Sequence, residues 1–216
     1  MKTIFISLFA LFFWSKNTAF AQQALLTDIK GDVVMKTTYT QINGSPYIFS
    51  SDWLNGYVVN AFGKKYEQLQ IRFDAYQHEL EYNKKEGAIV IDKDNYKEFL
   101  LEEGDKKHLF RAFVIDKKNV FCELLHEGKY QFLIHHKVSL HQQKAFNSAV
   151  TEKNFEVQKT YYLFFEQKAI KIKLNKNSIL EALPHQSKRI EEFGKEQKSK
   201  FKTEQEVLNL LLFLEK

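Results

Sequence analysis

The stretch FLIHHKVSLHQ, from Phe132 to Gln142, holds three of the seven histidines of the chain. Imidazole binds metal ions and transfers protons, so this is where a reactive site would first be sought. If the stretch is a β-strand, His135 and His141 share one face, roughly 20 Å apart at ~3.3 Å per residue, and His136 lies on the other face. One zinc ion, with ligand bonds of about 2 Å, cannot bind both. We therefore interpret the stretch as a strand and expect no metal site in it.

The only cysteine, Cys122, offers an alternative. If HEGKYQ closes a hairpin with Gly128-Lys129 at its tip, Cys122 lies opposite His135 on the neighbouring strand. Such a pair can form a thiolate nucleophile or half of a metal site. A shift of one residue would face Cys122 with Ile134 instead, and a lone cysteine among apolar neighbours is usually a small buried hydrophobe. Cys122 and His135 are thus the candidate binding residues, with packing as the preferred interpretation.

Other motifs that carry chemistry are missing from the sequence. The segment DKDN (Asp92–Asn95) places two acids as a calcium loop does, but Tyr96 stands where an oxygen ligand is needed, so a turn is predicted. No G-x-S-x-G, H-E-x-x-H, phosphate-loop or dinucleotide fingerprint occurs. We name no catalytic residue and expect no cofactor.

The N-terminus has the three parts of a secretory signal peptide. Lys2 supplies the positive charge, TIFISLFALFFW the apolar region, and Ala19-Phe20-Ala21 the small residues of a cleavage site. We predict a signal peptide over residues 1–21, cleavage after Ala21, and a mature chain in the periplasm or outside the cell. No cysteine lies at the cleavage site, where residue 22 is Gln, so a lipoprotein is not expected.

The charge of the mature chain is close to balanced. Two of the 32 Lys and Arg residues lie in the predicted signal peptide, which leaves 30 basic residues against 27 acidic ones. The two signs are interspersed, so the sequence gives no reason to expect a nucleic-acid partner. No apolar run in the mature chain is long enough to be a transmembrane span.

Residues 22–174 have the texture of a β-sheet. The segment YEQLQIRF places Leu69, Ile71 and Phe73 on one face, and YQHELEY (Tyr76–Tyr82) repeats the alternation. Later segments of the same kind are joined by links of a few residues, as hairpins require. The pattern predicts an antiparallel, mostly hairpin-connected sheet that is curved or sandwich-like.

Residues 175–216 are predicted to be helical and to pack on this sheet, which makes the fold class α+β. NSILEAL has Asn177 or Ser178 as a predicted N-cap, and Thr203–Glu206 forms a capping box. The helix that follows should present an apolar arc to the core, namely Val207, Leu208, Leu211, Leu212 and Leu214.

The segment GSPYIFSSDWLNGYVVNAFGKKYEQLQIRFDAYQHELEY and the Leu-, Lys- and Glu-rich tail resemble exported proteins of unknown function from Bacteroidota. In these proteins a Trp-x-x-Gly segment, here Trp53–Gly56, precedes a Gly-Lys-Lys-Tyr hairpin, here Gly63–Tyr66. The resemblance implies a Gram-negative cell envelope and brings no activity with it.

These features favour a non-enzymatic protein that acts by binding a protein partner or as a scaffold. The mature chain is rich in aromatic residues, which suit the core of a sheet. They would also suit a concave face that carries an apolar or lipid-like ligand, and this is the alternative. A hydrolase-type enzyme without an identifiable motif comes third.

Overall fold

The computed structural model describes residues 31–32, 39, 41–50, 52–84, 87–144 and 151–216. The predicted signal peptide and its cleavage site at Ala21 lie outside the described residues. Within them are eleven strands: β1 (Gly31–Asp32), β2 (Leu54–Asn60), β3 (Lys65–Asp74), β4 (Glu79–Lys84), β5 (Gly87–Ile91), β6 (Tyr96–Glu103), β7 (Lys106–Ile115), β8 (Lys118–His126), β9 (Gln131–Lys144), β10 (Thr151–Phe165) and β11 (Lys168–Ile172).

The strands form one antiparallel sheet in the order β1-β5-β4-β3-β2-β6-β7-β8-β9-β10-β11. From β2 to β5 the chain moves outward by hairpins, and β6 then returns to pair with the free side of β2. From β6 to β11 each strand pairs with the next along the chain. The predicted antiparallel, mostly hairpin-connected sheet is confirmed.

The alternation predicted for β3 is confirmed, because Leu69, Ile71 and Phe73 are all buried. The strand predicted from Tyr76 to Tyr82 is shorter than expected, since β4 begins only at Glu79. Asp74 explains the difference: its Oδ1 accepts the backbone N–H groups of Tyr76 and Gln77, at 2.9 and 2.8 Å, and holds these residues in a turn. Asp92 acts similarly in the predicted turn, where it accepts from the N–H of Asp94.

The Trp-x-x-Gly segment has a structural role. Trp53 and Tyr47 sandwich the Arg72 guanidinium at 4.2 and 3.9 Å, and this guanidinium also pairs with Glu81 at 2.6 Å. Gly56 lies so close to β6 that a Cβ there would collide with the carbonyl oxygen of Leu100. Glycine is therefore required where β2 and β6 meet.

The sheet curls, and its concave face is filled by aromatic side chains. Phe99 and Phe110 stack with their ring centroids 4.7 Å apart, and Phe73 lies 5.2 Å from Phe99. All three rings are almost completely buried. The curl brings the β3–β4 turn to β9, where the N–H of Val138 donates to the carbonyl of Ala75 at 3.1 Å, although four strands lie between β3 and β9 in the sheet order.

Three helices follow the sheet: α1 (Lys176–Ala182), α2 (Ser187–Glu196) and α3 (Glu204–Leu214). The predicted N-cap of α1, Asn177 or Ser178, was wrong by two or three residues, since Asn175 is the N-cap and accepts from the N–H of Ser178. Ser178 instead uses its Oγ to accept from the N–H of Lys173. Among the described residues no helix has the length and apolar character needed to cross a membrane.

Helix α3 begins as predicted. Thr203 accepts from the N–H of Glu206, and Glu206 accepts from the N–H of Thr203, which completes the capping box. Leu211 is buried as predicted, but Leu212 is 50% exposed. The buried residues of α3 form a set with the spacing of a single helix face. Leu212 directly follows Leu211 and is rotated from it by about 100° around the helix axis, which takes Leu212 off this face. That set is Val207, Leu210, Leu211 and Leu214.

The helices cover one end of the sheet. Three strand residues, Phe132, Leu163 and Ile172, and Tyr130 of the β8–β9 connection meet the buried face of α3 there. They are joined by residues of the helical segment, namely Ile179, Leu183, Ile190 and Phe201. Another apolar cluster lies on the face of β7–β9 that is opposite the concave face. Its members alternate along the strands with residues such as Phe110 and Phe121, which point to the concave face. This cluster consists of Phe113, Ile115, Cys122, Leu124 and Leu133.

Candidate functional site

Cys122, the first candidate binding residue, is completely buried in the apolar cluster opposite the concave face. Burial raises the pKa of its thiol to about 12. A thiol with so high a pKa is protonated at neutral pH, whereas the thiolate is the form that acts as a nucleophile or metal ligand. Its surroundings are those of a packed side chain.

The strands that carry Cys122 and His135 part before the two residues meet. Glu123 pairs with Ile134 and Leu124 with Leu133, in the register on which the sequence interpretation rested. The ladder between β8 and β9 ends at Glu123 and Ile134. The next residue of β9, His135, stacks instead on His78 from the β3–β4 turn, with ring centroids 5.3 Å apart.

His136 and His141 also lie in different settings. His141 is exposed, with its Nε2 atom 2.9 Å from Oε2 of Glu156, whereas His136 is only 2% exposed. The Nε2 atom of His136 lies 2.6 Å from Oε2 of Glu123, and the other carboxylate oxygen, Oε1, lies 2.6 Å from Nδ1 of His108. A buried carboxylate therefore lies between two imidazoles from different strands.

The pKa of Glu123 determines which atoms of this cluster carry a hydrogen. Burial by itself would raise this pKa, but the hydrogen bonds to His108 and His136 together outweigh it and lower the pKa to about 2. Glu123 is then ionised at neutral pH and can only accept hydrogen bonds, so Nδ1 of His108 and Nε2 of His136 each carry a hydrogen. The remaining nitrogen of His108, Nε2, is buried without a hydrogen-bond partner, 3.6 Å from Oε2 of Glu103.

Phe49 covers the cluster in a strained turn. Its ring stacks on His108 with centroids 3.7 Å apart and lies 5.5 Å from the ring of His136. The residue has a φ of +67°, and the N–H of Ser50 donates to the carbonyl of Ile48, which is the hydrogen bond of a γ-turn. A bulky residue takes this conformation only where its surroundings impose it, and such strain gathers at functional sites.

The geometry does not suit a metal ion. Both oxygens of Glu123 are already occupied by ring N–H groups, and among the described residues no group of three or more His, Cys, Asp or Glu side chains is arranged to hold one. What the cluster can do is hold charge inside the protein. The two hydrogen bonds orient the imidazoles and stabilise the negative charge of the buried carboxylate.

The sequence interpretation missed this cluster, although one signal for it was present. Glu123 lies two residues from Phe121, so in a strand both point to the same face, and Phe121 faces the core. A carboxylate at an inward position needs a buried partner. His108 and His136 are the inward histidines of β7 and β9, but identifying them required the order and register of three strands.

No protein-family model, curated protein or solved structure matches the chain. The functional argument therefore depends on the geometry of the described residues.

Proposed function

We propose that the protein is exported to a bacterial cell envelope and acts there by binding a protein partner, without catalysing a reaction. The observation that carries the proposal is the tip of the β2–β3 hairpin. Phe62 at this tip is 94% exposed, more than any other large hydrophobic residue among those described.

The tip is rigid although it is exposed. The side chain of Asn60, which is buried, accepts from the N–H groups of Phe62 and Lys64 at 3.0 and 2.9 Å. The N–H of Gly63 donates to the carbonyl of Asn60, and the N–H of Ala61 to that of Asn95. A preorganised backbone lowers the entropy lost when the aromatic residue it carries binds, and aromatic residues are typical of the anchors that dominate protein interfaces.

The interior of the sheet supports binding by the outer surface. The concave face is occupied by the protein's own rings, including the stacked pair Phe99 and Phe110. The one imidazole nitrogen of the cluster that lacks a partner, Nε2 of His108, is buried as well. A hydrolase-type activity, the third possibility, would need this nitrogen to reach a substrate.

A quantitative pull-down from envelope extracts tests the proposal. Three baits are compared: the wild-type mature chain, Phe62→Ser and Val114→Ser. Val114 is the matched control because it is also a strongly exposed hydrophobic residue, at 61%. We expect one protein to be retained by the wild type and by Val114→Ser, and to fall at least about ten-fold with Phe62→Ser, as the loss of an anchor residue implies.

The melting temperature of each bait is measured alongside. Both substituted side chains are exposed, so neither variant should differ from the wild type in stability. Retention of the same proteins in the same amounts by all three baits would contradict a role for the hairpin tip in binding.

The alternative, a carrier of an apolar or lipid-like ligand, is favoured by one observation. Phe49 is held in a strained turn against the aromatic concave face, as a side chain would be if it closed over a ligand site. Titration with a fluorescent fatty acid separates the two functions. Saturable binding of one probe per chain would favour the carrier, and no binding is expected of a protein that acts through its surface.

The proposed location has its own test. A secretory signal peptide cleaved after Ala21 leaves Gln22 as the first residue. Intact-mass measurement of the exported protein should give a chain that begins there. Exported protein that retains residues 1–21 would contradict the prediction.

A further inference from the structure

The curled sheet closes at a seam, which we define as residues 75–78 of the β3–β4 turn and residues 135–138 of β9. One backbone hydrogen bond joins the two segments directly, from the N–H of Val138 to the carbonyl of Ala75. Beyond Ile134 the β8–β9 ladder has ended. This part of β9 is therefore held by β10 on one side and by the turn on the other.

Two histidines face each other across the seam. The rings of His78 and His135 stack with centroids 5.3 Å apart and an interplanar angle of 22°. The Nε2 atom of His135 is buried without a hydrogen-bond partner. The charges that act on the pKa of His135, after burial itself, are those of His78, His136 and Lys137, and all of them disfavour a further positive charge.

The carboxylates near the seam are engaged elsewhere. Asp74 accepts from the turn's own N–H groups and from the hydroxyl of Tyr39, at 2.8 Å. Glu123 of β8 is shared by His136 and by His108 of β7.

The other charged or titratable groups near the seam, among the described residues, lie around the turn and on β10. Tyr47, on the segment that packs against the turn, donates to Glu81, and Glu79 follows the turn at the start of β4. On β10, Lys159 is the register partner of His136 and is paired with Glu204. Among the described residues, neither histidine of the seam thus has an acidic partner.

We propose that the seam is a pH-sensitive closure, in which protonation of His78 and His135 parts the turn from β9 while the rest of the sheet stays folded. Two like charges in a half-buried stack repel each other and lose solvation. The single hydrogen bond between Val138 and Ala75 is all that joins the two backbones against this repulsion.

The pKa values give the direction and the pH window. Burial lowers the pKa of both histidines, that of His135 to about 4. In an open seam each would titrate near the ordinary value of about 6.5, so the open state takes up protons first as the pH falls. The closed seam is fully stable above about pH 6.5 and loses stability as the pH falls toward about 4.

Two carboxyl groups act in the opposite direction. Burial raises the pKa of Asp74 and of Glu79, so protonation of these groups favours the closed state. The closed state takes up these carboxyl protons as the pH falls through their raised pKa values, and the ordinary carboxyl value of about 4 from which they are raised lies below that of histidine. The effect of the histidines is therefore sought in the upper part of the window, between about pH 6.5 and 5.5, where their ordinary pKa lies.

Amide hydrogen exchange followed by mass spectrometry tests the proposal. Exchange of the full mature chain is compared at about pH 7 and about pH 5.5, after correction for the intrinsic rates. Proton linkage predicts that the equilibrium constant for opening of the seam peptides increases about ten-fold at the lower pH. Peptides from β6 and β7 should keep their protection.

Matched variants assign the effect to the two histidines. In His78→Gln/His135→Gln the pH effect should fall below about two-fold, while the exposed control His141→Gln should keep it. If the double variant does not fold, Lys137→Gln serves instead, because removal of this neighbouring cation should move the opening to lower pH. Equal protection of the seam at both pH values, loss of protection throughout the sheet, or a double variant that keeps the pH effect would each overturn the proposal.

Discussion

This sheet contains two pairs of histidines, and the surroundings of the two pairs are opposite. His108 and His136 share the carboxylate of Glu123, with both hydrogen bonds at 2.6 Å. His78 and His135 stack on each other, and the charges acting on the pKa of His135 are positive. The first pair holds a buried carboxylate in its charged form, and the second pair is arranged to exclude a proton.

The difference shows that burial alone does not decide how a histidine behaves. His135 and His136 are adjacent in sequence, and strand alternation turns them to opposite faces. Inside the curl, His136 meets a carboxylate, whereas His135 meets the imidazole of the β3–β4 turn. Acid should therefore weaken the seam first and the Glu123 cluster later, because the low pKa of Glu123 keeps its contribution until the pH falls below about 4.5 toward 2.

The largest expected effect is at Glu123. Glu123→Ala leaves two buried imidazole N–H groups without an acceptor, and we expect the free energy of unfolding to fall by about 3–5 kcal/mol. Chemical denaturation at neutral pH measures the loss. Glu123→Gln is the control: its amide oxygen can accept from one imidazole, and its NH2 can donate to the other once that ring changes tautomer, so this variant should lose clearly less. Equal losses in the two variants would show that the hydrogen bonds do not stabilise the cluster.

A loss of similar size can be produced far from both histidine pairs. Leu211 of α3 is fully buried among the helices and β9–β11. Leu211→Ala should cost about 2–5 kcal/mol in unfolding free energy. The pH dependence of stability between about 7 and 5.5 should stay that of the wild type, because no seam group is touched. A changed dependence would mean that the seam and the helical end are coupled.

A smaller effect on stability is expected at Phe49, whose ring covers His108 and His136. Phe49→Gly and Phe49→Ala both remove the ring, but glycine adopts a φ of +67° without strain. The glycine variant should therefore be the more stable of the two by about 1 kcal/mol in denaturation experiments. If alanine is as stable as glycine, the turn is not strained.

Much of the fold could be predicted because the signals are local. Alternation along β3 and the capping box of α3 are written in neighbouring residues, and both are confirmed. The strand predicted to begin at Tyr76 does not form there, because the Asp74 side chain accepts the backbone N–H groups of Tyr76 and Gln77. Leu212 was misplaced because the predicted arc was wider than the single face that the sheet covers.

The candidate site could not be predicted because it depends on long-range register. The pairing of Glu123 with Ile134 follows from a hairpin and was within reach of the sequence. The meeting of His135 with His78 depends on the curl of the whole sheet, which brings β3 and β9 together across four other strands. No periodicity in a single sequence carries that information.

An NMR titration of the histidine ring protons tests the comparison most directly, because it measures the two surroundings in the intact protein. Each resonance is assigned by single His→Gln variants and followed from about pH 8 to about pH 3.5. We predict that His78 titrates below the ordinary value of about 6.5 and His135 near 4. Opening of the seam should appear as a change in the seam resonances over the same range. A His135 that titrates at or above 6.5 would contradict the account.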